Sequence, residues 1–283
     1  MISAELAQWE EDFCLPCYQG KITDINSVYL QTQQFYAECC PDGRRQDLGG
    51  IYATSCGTPW AGLNVAFLTD PIRQVNRFRS RLERACGFYA SRGEPWILVV
   101  PDKWVAPDQR AVLHSYLQDS GFQLAMDAYA IEAESIEPLE PNHLRIKCAN
   151  EAKDWALLAE LNADAWSVPM EWLRPLFDSK RFQDQAHGYV GFEGDTPVGG
   201  VVEFPADRYN YLAWGATVAE FRRKGYGAEL LRYACVNSAP GRTLLGIQSP
   251  QGLRTRLQCG FKQGERFRLY LAPSNIISVN KTG

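Results

Sequence analysis

Apolar side chains at Ile22, Ile25, Val28, Tyr29, Phe35 and Tyr36, with Thr32 among them, recur at three- and four-residue spacing. That period predicts an amphipathic helix within the first 45 residues, with Thr23 or Asp24 as its cap and Pro41-Asp42-Gly43 as its stop. Short apolar runs follow at Ile51–Ala53 and Leu63–Leu68, separated by Cys56-Gly57-Thr58-Pro59; this is the pattern of a hairpin. Asp70-Pro71 is expected to open a helix reaching Arg92, with Val75, Phe78, Leu82, Ala85, Cys86 and Tyr89 on one face. The continuous run Trp96–Val100 reads as a strand buried on both faces. Pro107 opens another helix, Gly121 closes it, and Phe122–Glu132 forms a further strand.

A stretch carrying Pro138, Pro141 and the acidic residues Glu132, Glu134, Glu137 and Glu140 reads as a linker. Beyond it, Glu151–Trp166 and Met170–Phe182 have helical spacing, and Gly188–Phe192 pairs with Val198–Phe204 across Gly194-Asp195-Thr196-Pro197. Tyr209–Val218 is the next strand, followed by a helix at Gly225–Asn237, a strand at Leu244–Gln248, a short helix at Gly252–Gln258 and a last strand at Phe267–Leu271. Both halves therefore run through an early hairpin and then alternate helix with strand. The expected fold is α/β, two versions of one lobe, each a mixed, mostly antiparallel sheet flanked by helices. The expected boundaries are 1–140 and 144–283.

Length and composition agree with two lobes. The chain has 283 residues, 46% of them hydrophobic and 12% aromatic, enough for a sizeable core and far from a disordered composition. With 29 Lys and Arg against 33 Asp and Glu, the net charge of −4 gives no overall attraction to nucleic acid. No stretch approaches the roughly 20 apolar residues of a membrane-spanning helix. Met1-Ile2-Ser3-Ala4-Glu5 lacks the basic start and apolar run of a secretory leader. The expectation is a cytoplasmic protein with neither a nucleic-acid nor a membrane partner.

The nine cysteines (Cys14, Cys17, Cys39, Cys40, Cys56, Cys86, Cys148, Cys235 and Cys259) are odd in number, which argues against a disulfide framework and for reduced, buried thiols. Cys14-Leu15-Pro16-Cys17 with Cys39-Cys40 offers four thiolates, but a vicinal pair is an unusual half of a zinc site and no histidine lies nearby. No metal is expected, and a metal or redox role for these thiols stays as an alternative. His114, His143 and His187 show no ligand spacing.

The segment richest in chemistry is Thr217 to Leu231. A strand ends near Val218, a turn follows with Arg222, Gly225 and Gly227 in R-x-x-G-x-G spacing, and an amphipathic helix starts at once. Helix N-termini carry free N–H groups and partial positive charge, and glycines let a ligand approach the backbone. Together they make a cradle for phosphate oxygens, to which Arg222, Arg223 and Lys224 add charge. The plain alternative is a glycine-bearing strand-to-helix turn with solvated basic residues. Neither the dinucleotide G-x-G-x-x-G nor the G-x-x-x-x-G-K-[ST] loop is present.

This segment, reinforced by Gly260-Phe261 after the next helix and by the order of elements around both, resembles the acyl-CoA motif of the GCN5-related N-acetyltransferase (GNAT) superfamily. The resemblance covers about residues 144–272. In the first half, Cys56-Gly57-Thr58-Pro59-Trp60, Asn64 and Pro95-Trp96 are similar to tandem members, but Asp70-Pro71-Ile72-Arg73 stands where the motif would be. The resemblance thus implies a degenerate first lobe and one cofactor site, in the second. It implies that Gly215-Ala216-Thr217 pairs with the pantetheine arm as an added strand, and that Arg223, Lys224, Gly225, Tyr226, Gly227 and Ala228 hold the diphosphate. Ser249 falls where members often place an Asn beside the cofactor, and an N–H near Ala216 would stabilise an oxyanion.

The implied reaction is transfer of an acyl group, acetyl in the first instance, from acyl-CoA to a primary amine on a small molecule or peptide, by direct attack in a ternary complex. A base must take the amine's proton. Glu203 is the candidate, on the strand beside the cofactor strand; an ordinary exposed strand glutamate is the alternative. Trp214 and Tyr211 either line the acceptor pocket or pack the core. One position departs from the family. Five residues before Phe261, where a tyrosine often protonates the leaving thiolate, stands Arg256. Arginine gives up no proton at working pH; it would stabilise the thiolate as an ion or contact a cofactor phosphate. Fatty-acyl transfer, acylation of a peptide lysine or ornithine in natural-product modification, and an inactive acyl-CoA-binding module remain as alternatives.

Overall fold

The computed structural model describes residues 25–138, 144–206 and 208–273. The expected caps Thr23 and Asp24, the Cys14–Cys17 pair, His143, and Glu140 and Pro141 of the expected linker lie outside these residues. The first half runs α1 (Ile25–Cys39), β1 (Arg44–Asp47), β2 (Ile51–Ser55), β3 (Asn64–Leu68), α2 (Val75–Ala90), β4 (Ile97–Pro101), α3 (Arg110–Asp119) and β5 (Gln123–Ala133). The second runs β6 (Arg145–Cys148), α4 (Ala152–Trp166), α5 (Arg174–Phe177), α6 (Lys180–Gln185), β7 (His187–Glu193), β8 (Thr196–Ala206), β9 (Tyr209–Thr217), α7 (Tyr226–Asn237), β10 (Thr243–Gln248), α8 (Pro250–Gln258) and β11 (Lys262–Leu271). None of the described helices is long and apolar enough to cross a membrane.

All eleven strands of the described residues form one sheet in the order β1-β2-β3-β4-β11-β5-β10-β9-β8-β7-β6. The two lobes therefore share a sheet, and they exchange their last strands. β5 pairs with β10 and β11, both from the second half, while β11 lies antiparallel to β4 of the first. β3–β4 and β9–β10 are the parallel pairs, placed symmetrically about the β5–β11 seam.

Strand alternation sends side chains to opposite faces. Val65 and Phe67 of β3 join a core with α1, α4, α5 and α6 that spans both halves, built on Trp155, Leu158, Phe177, Phe182, Phe204 and Phe267. Ala66 and Leu68 turn the other way, under α2 and α3, with Phe78, Leu82, Tyr89 and Leu117. At the other end of that face, Leu212 and Val201 pack under α7 and α8 with Leu230, Leu231 and Phe261.

Several elements differ from the sequence reading, each for a local reason. The helix expected from Asp70 starts at Val75, because Ile72 is drawn into a parallel bridge with Val105. Met170–Phe182 is a 3₁₀ turn followed by two short helices, broken at Asp178-Ser179, where Ser179 caps α6. The last strand starts five residues early, at Lys262. β1 and β6, with the polar sequences RRQD and RIKC, carried no apolar signature; they are the two edges of the sheet, where charged residues discourage further pairing.

Candidate functional site

β9 is where the sheet opens. Its parallel pairing with β10 runs from Tyr209↔Thr243 to Leu212↔Gly246 and stops. Beyond that point β9 stays with β8 as far as Thr217↔Gly199, and β10 stays with β5 as far as Gln248↔Tyr129. The two strands part, and among the described residues the edge of Ala213–Thr217 that faces β10 has no strand beside it. The parting coincides with a bulge. Val202 opposes Ala213 and Gly200 opposes Ala216, so Trp214 and Gly215 share one partner position, and Trp214 takes a φ of +51°. That conformation costs a bulky side chain roughly 1–2 kcal/mol; such strain persists where surrounding contacts fix it. Here the Trp214 indole N–H donates to the Tyr36 hydroxyl at 2.9 Å.

The bulge also decides which backbone groups face the gap. Val218 N–H donates to Val198 C=O at 3.0 Å. Bonded pairs alternate along an antiparallel ladder, so Ala216 turns its amide and carbonyl toward β8, and Gly215 and Thr217 turn theirs toward the gap. Of the backbone amides near Ala216, its own is engaged with β8 by this register, and Gly215's faces the gap. Gly215 is exposed.

After β9 the chain makes a 3₁₀ turn at Ala219–Phe221, and Arg222 Nε bonds back to Thr217 C=O at 2.9 Å. Arg223 has φ +64° and Gly225, the N-cap of α7, has φ +90°. Arg222, Arg223, Lys224 and Gly225 are exposed, and a Cβ placed on Gly225 would meet nothing within 4 Å. Ala228 and Glu229 are the first amides to bond back into the helix, both to Gly225 C=O. Gly227 abuts the strand: a Cβ there would lie 3.1 Å from Thr217 Oγ1. Lys224 Nζ is 4.0 Å from Glu193 Oε2, and the buried Tyr226 donates its hydroxyl to the same carboxylate. A free edge of strand thus leads to a glycine-bearing helix N-terminus ringed by basic side chains. These residues fit an extended arm ending in a diphosphate.

The other sequence candidates are spread around this corner. Ser249 caps α8, its Oγ accepting from Gly252 N–H at 3.3 Å. Arg256 is 7% exposed, and its Nη2 lies 2.8 Å from the position a Cβ would take on Gly215. Burial pulls its guanidinium below the usual arginine value, which the neighbouring Cys235 and Cys259 partly offset. Glu203 is not an exposed strand residue. It is 0% exposed, opposite both His187 of β7 and Leu212 of β9, one strand away from the point where the sheet parts. Its Oε2 is 3.8 Å from His187 Nδ1, and among the described residues neither carboxylate oxygen has a hydrogen-bond partner. The carboxylate holds the half-exposed His187 imidazole above its ordinary value. Tyr211 is buried core. Trp214 is half-buried, 6.1 Å centroid to centroid from Trp60, which in turn lies 5.9 Å from the exposed Trp166. This aromatic group, drawn from both halves, was not singled out in the sequence because its members are far apart along the chain. Among the described residues no cluster of three or more His, Cys, Asp or Glu could hold a metal.

The symmetric position in the first half is closed. β3 and β4 pair from Val65↔Ile97 to Phe67↔Val99, and pairing resumes at Ile72, whose N–H donates to Trp104 C=O at 2.6 Å and whose C=O accepts from Ala106 N–H at 3.0 Å. The Gln109 side chain accepts from Val75 N–H at 3.3 Å, occupying the start of α2.

Comparison with known proteins agrees with this geometry. Residues 154–243 match the model of the Acetyltransferase (GNAT) family. Among solved structures, a GCN5-related N-acetyltransferase from Kribbella flavida superposes with a TM-score of 0.69 at 16% identity, over 92% of this chain and 98% of that one. A functionally unknown conserved protein from Staphylococcus epidermidis gives 0.64 at 16% identity, over 83% and 95%. A tandem GNAT protein from the clavulanic acid biosynthesis pathway gives 0.52 at 12% identity, over 81% and 79%. A search of curated proteins found no match. These structural likenesses establish the fold, and the stretch that matches the Acetyltransferase (GNAT) family model, residues 154–243, includes the strand, turn and helix that form the site.

Proposed function

We propose that the protein is an acyl-CoA-dependent N-acyltransferase that moves an acyl group, acetyl in the simplest case, to a primary amine by direct attack in a ternary complex. The observation that carries this reading is the free edge of β9 at Ala213–Thr217 running into the open, basic N-terminus of α7. The match of residues 154–243 to the GNAT family model supports acyl transfer; the choice of donor and acceptor is our inference from the site.

Acyl-CoA supplies a thioester, already activated toward amines. The chain's part is to bind and orient it. The amides at the start of α7, with Arg222, Arg223 and Lys224, take the diphosphate. The gap-facing groups of Thr217 and Gly215 pair with the pantetheine arm as a strand would. The Gly215 amide, pre-set by the bulge, serves the developing oxyanion. We assign Glu203 as the base, reached from the amine through water, with His187 at 3.8 Å as its connection to solvent. The acceptor enters over Trp214, Trp60 and Trp166, so the first half shapes the acceptor side and, with Ile72 closing its own gap, binds no cofactor.

The test is thermal-shift titration with acyl-CoAs of increasing chain length, followed by a thiol-release assay over a panel of small-molecule and peptide amines. Stabilisation by short acyl-CoAs and amine-dependent thiol release are expected. Stabilisation without release from any amine would make the protein an acyl-CoA-binding module. Absence of any shift would overturn the reading.

A further inference from the structure

Arg256 projects from α8 into the layer between that helix and β9 and is 7% exposed. Among the described residues it makes no ion pair with a carboxylate, and its charge is felt only by two thiols, Cys235 and Cys259. Burial raises both thiols, Cys235 to about 12, so they stay neutral and leave the guanidinium uncompensated. A buried arginine does not solve this by losing its proton, and a lone buried charge is unfavourable until an anion arrives.

Its place in the cleft decides which anion. The contact between Thr217 Oγ1 and Gly227 marks the diphosphate corner, and Leu212↔Gly246 marks the closed end. Arg256 lies against Gly215, two residues inward from Thr217, or roughly 7 Å along the strand. Gly215 is also the bulge residue next to Ala216, and alternation turns its amide toward the gap. This is the thioester side of the corner, not the phosphate side.

We propose that Arg256 is a fixed cation that receives the departing thiolate of coenzyme A, so that the leaving group departs as an anion rather than being protonated. This rests on the acyl-CoA reading above. In the transfer step the amine nitrogen forms the new C–N bond, and the C–S bond breaks with its electron pair remaining on sulfur. The amine's proton goes to the base, and the thiolate takes a proton from water only after release. The charge that appears on sulfur is the counter-ion the resting protein lacks.

The product complex allows this to be measured without turnover. The thiol of bound coenzyme A is titrated by thiolate absorbance, with the complex of desulfo-coenzyme A, which has no thiol, as the blank. A free thiol titrates near about 8.5. In the wild-type complex the value is expected to fall by a unit or more, a tenfold gain in thiolate at a given pH. R256M is expected to return it to the free value, and R256K to keep most of the depression. Above pH 8, R256M is expected to weaken coenzyme A at least fivefold in calorimetry while leaving desulfo-coenzyme A unchanged. If the wild type binds coenzyme A but its thiol titrates as in solution, the proposal is overturned and the acyl-CoA reading stands. Equal weakening of both ligands by R256M also overturns it, since Arg256 then grips another part of the molecule. If the wild type binds neither ligand, both inferences fall. Should R256M not fold, the wild-type and R256K titrations decide alone.

Discussion

Gly225 and Gly227 sit two residues apart and do different work. Gly225 needs its left-handed φ of +90° and has open space where a Cβ would go. Gly225→Ala is therefore expected to lower stability by about 1–2 kcal/mol from backbone strain alone, yet to abolish the acyl-CoA-dependent thermal shift, because the new methyl occupies ligand space. Gly227→Ala meets Thr217 Oγ1 at 3.1 Å and acts by displacing the strand; a weakened rather than absent shift is expected. Denaturant melts with and without ligand separate the two effects. Tyr36 is a third telling residue. Its hydroxyl is the acceptor for Trp214 N–H at the bulge, and Tyr36→Phe is expected to cost about 0.5–1.5 kcal/mol. By loosening the wall of the acceptor side, it should raise the amine KM more than it lowers kcat in steady-state kinetics. His187 carries a pH dependence. Its pKa in the folded protein is raised by Glu203, so its stabilising contribution is complete below the unfolded value of about 6.5 and is lost as pH rises through the folded one. The stability difference between wild type and His187→Gln should be largest below about pH 6.5 and shrink above it, as followed by thermal midpoints across that range.

At the scale of elements, legibility in the sequence tracked how much of the signal was local. α1, α4, α7 and the β7–β8 hairpin follow from apolar period and turn residues, and the R-x-x-G-x-G turn fell where the motif placed it because glycine spacing and helix start are both near-neighbour properties. What could not be read was set by partners distant along the chain. β1 and β6 are strands only because β2 and β7 offer an edge to pair with. Glu203 is buried between His187 of β7 and Leu212 of β9, partners distant from it in the chain. The bulge at Trp214 and Gly215, which alternation does not foresee, decides which of the amides near Ala216 faces the gap. The closure at Ile72 belongs with these: the stretch after β3 that reads as a helix start is instead stitched to Val105 through Ile72. That stitch predicts a stoichiometry. Calorimetric titration with acetyl-CoA should give one site per chain, and Ile72→Ala, though it removes a side chain only 2% exposed and should cost about 2–4 kcal/mol, should not create a second. Two sites in the wild type would mean the first-half gap opens in solution.

At the scale of the whole molecule, the exchange of last strands has the largest physical consequence, and nothing in the sequence pattern announced it. Each half contains a complete set of elements, and repeat order alone is compatible with two lobes that each finish their own sheet. The pairing shows otherwise. β5 has no strand neighbour from its own half, lying between β10 and β11, and β4 loses one side of its ladder if β11 is absent. The paired strands β4 and β11 both carry buried apolar side chains, Leu98, Val99 and Val100 on β4 and Phe267 and Tyr270 on β11. A half made alone would expose these edges, and unpaired apolar strand edges drive association. The core that joins α1 to α4 and α6 would also be cut in two. Fragments 1–143 and 144–283 expressed separately are therefore expected to be insoluble or to self-associate. Co-expressed, they should recover a one-to-one complex, because the exchanged strands then find their partners. Size-exclusion chromatography with light scattering reads the outcome directly. The complex should also regain the acyl-CoA-dependent thermal shift, since β10 at the mouth of the cleft is held on its far side by β5 from the other fragment. A soluble, monomeric 144–283 that binds acyl-CoA as the full chain does would show that the seam is dispensable, and the two lobes would then have to be regarded as independent folding units.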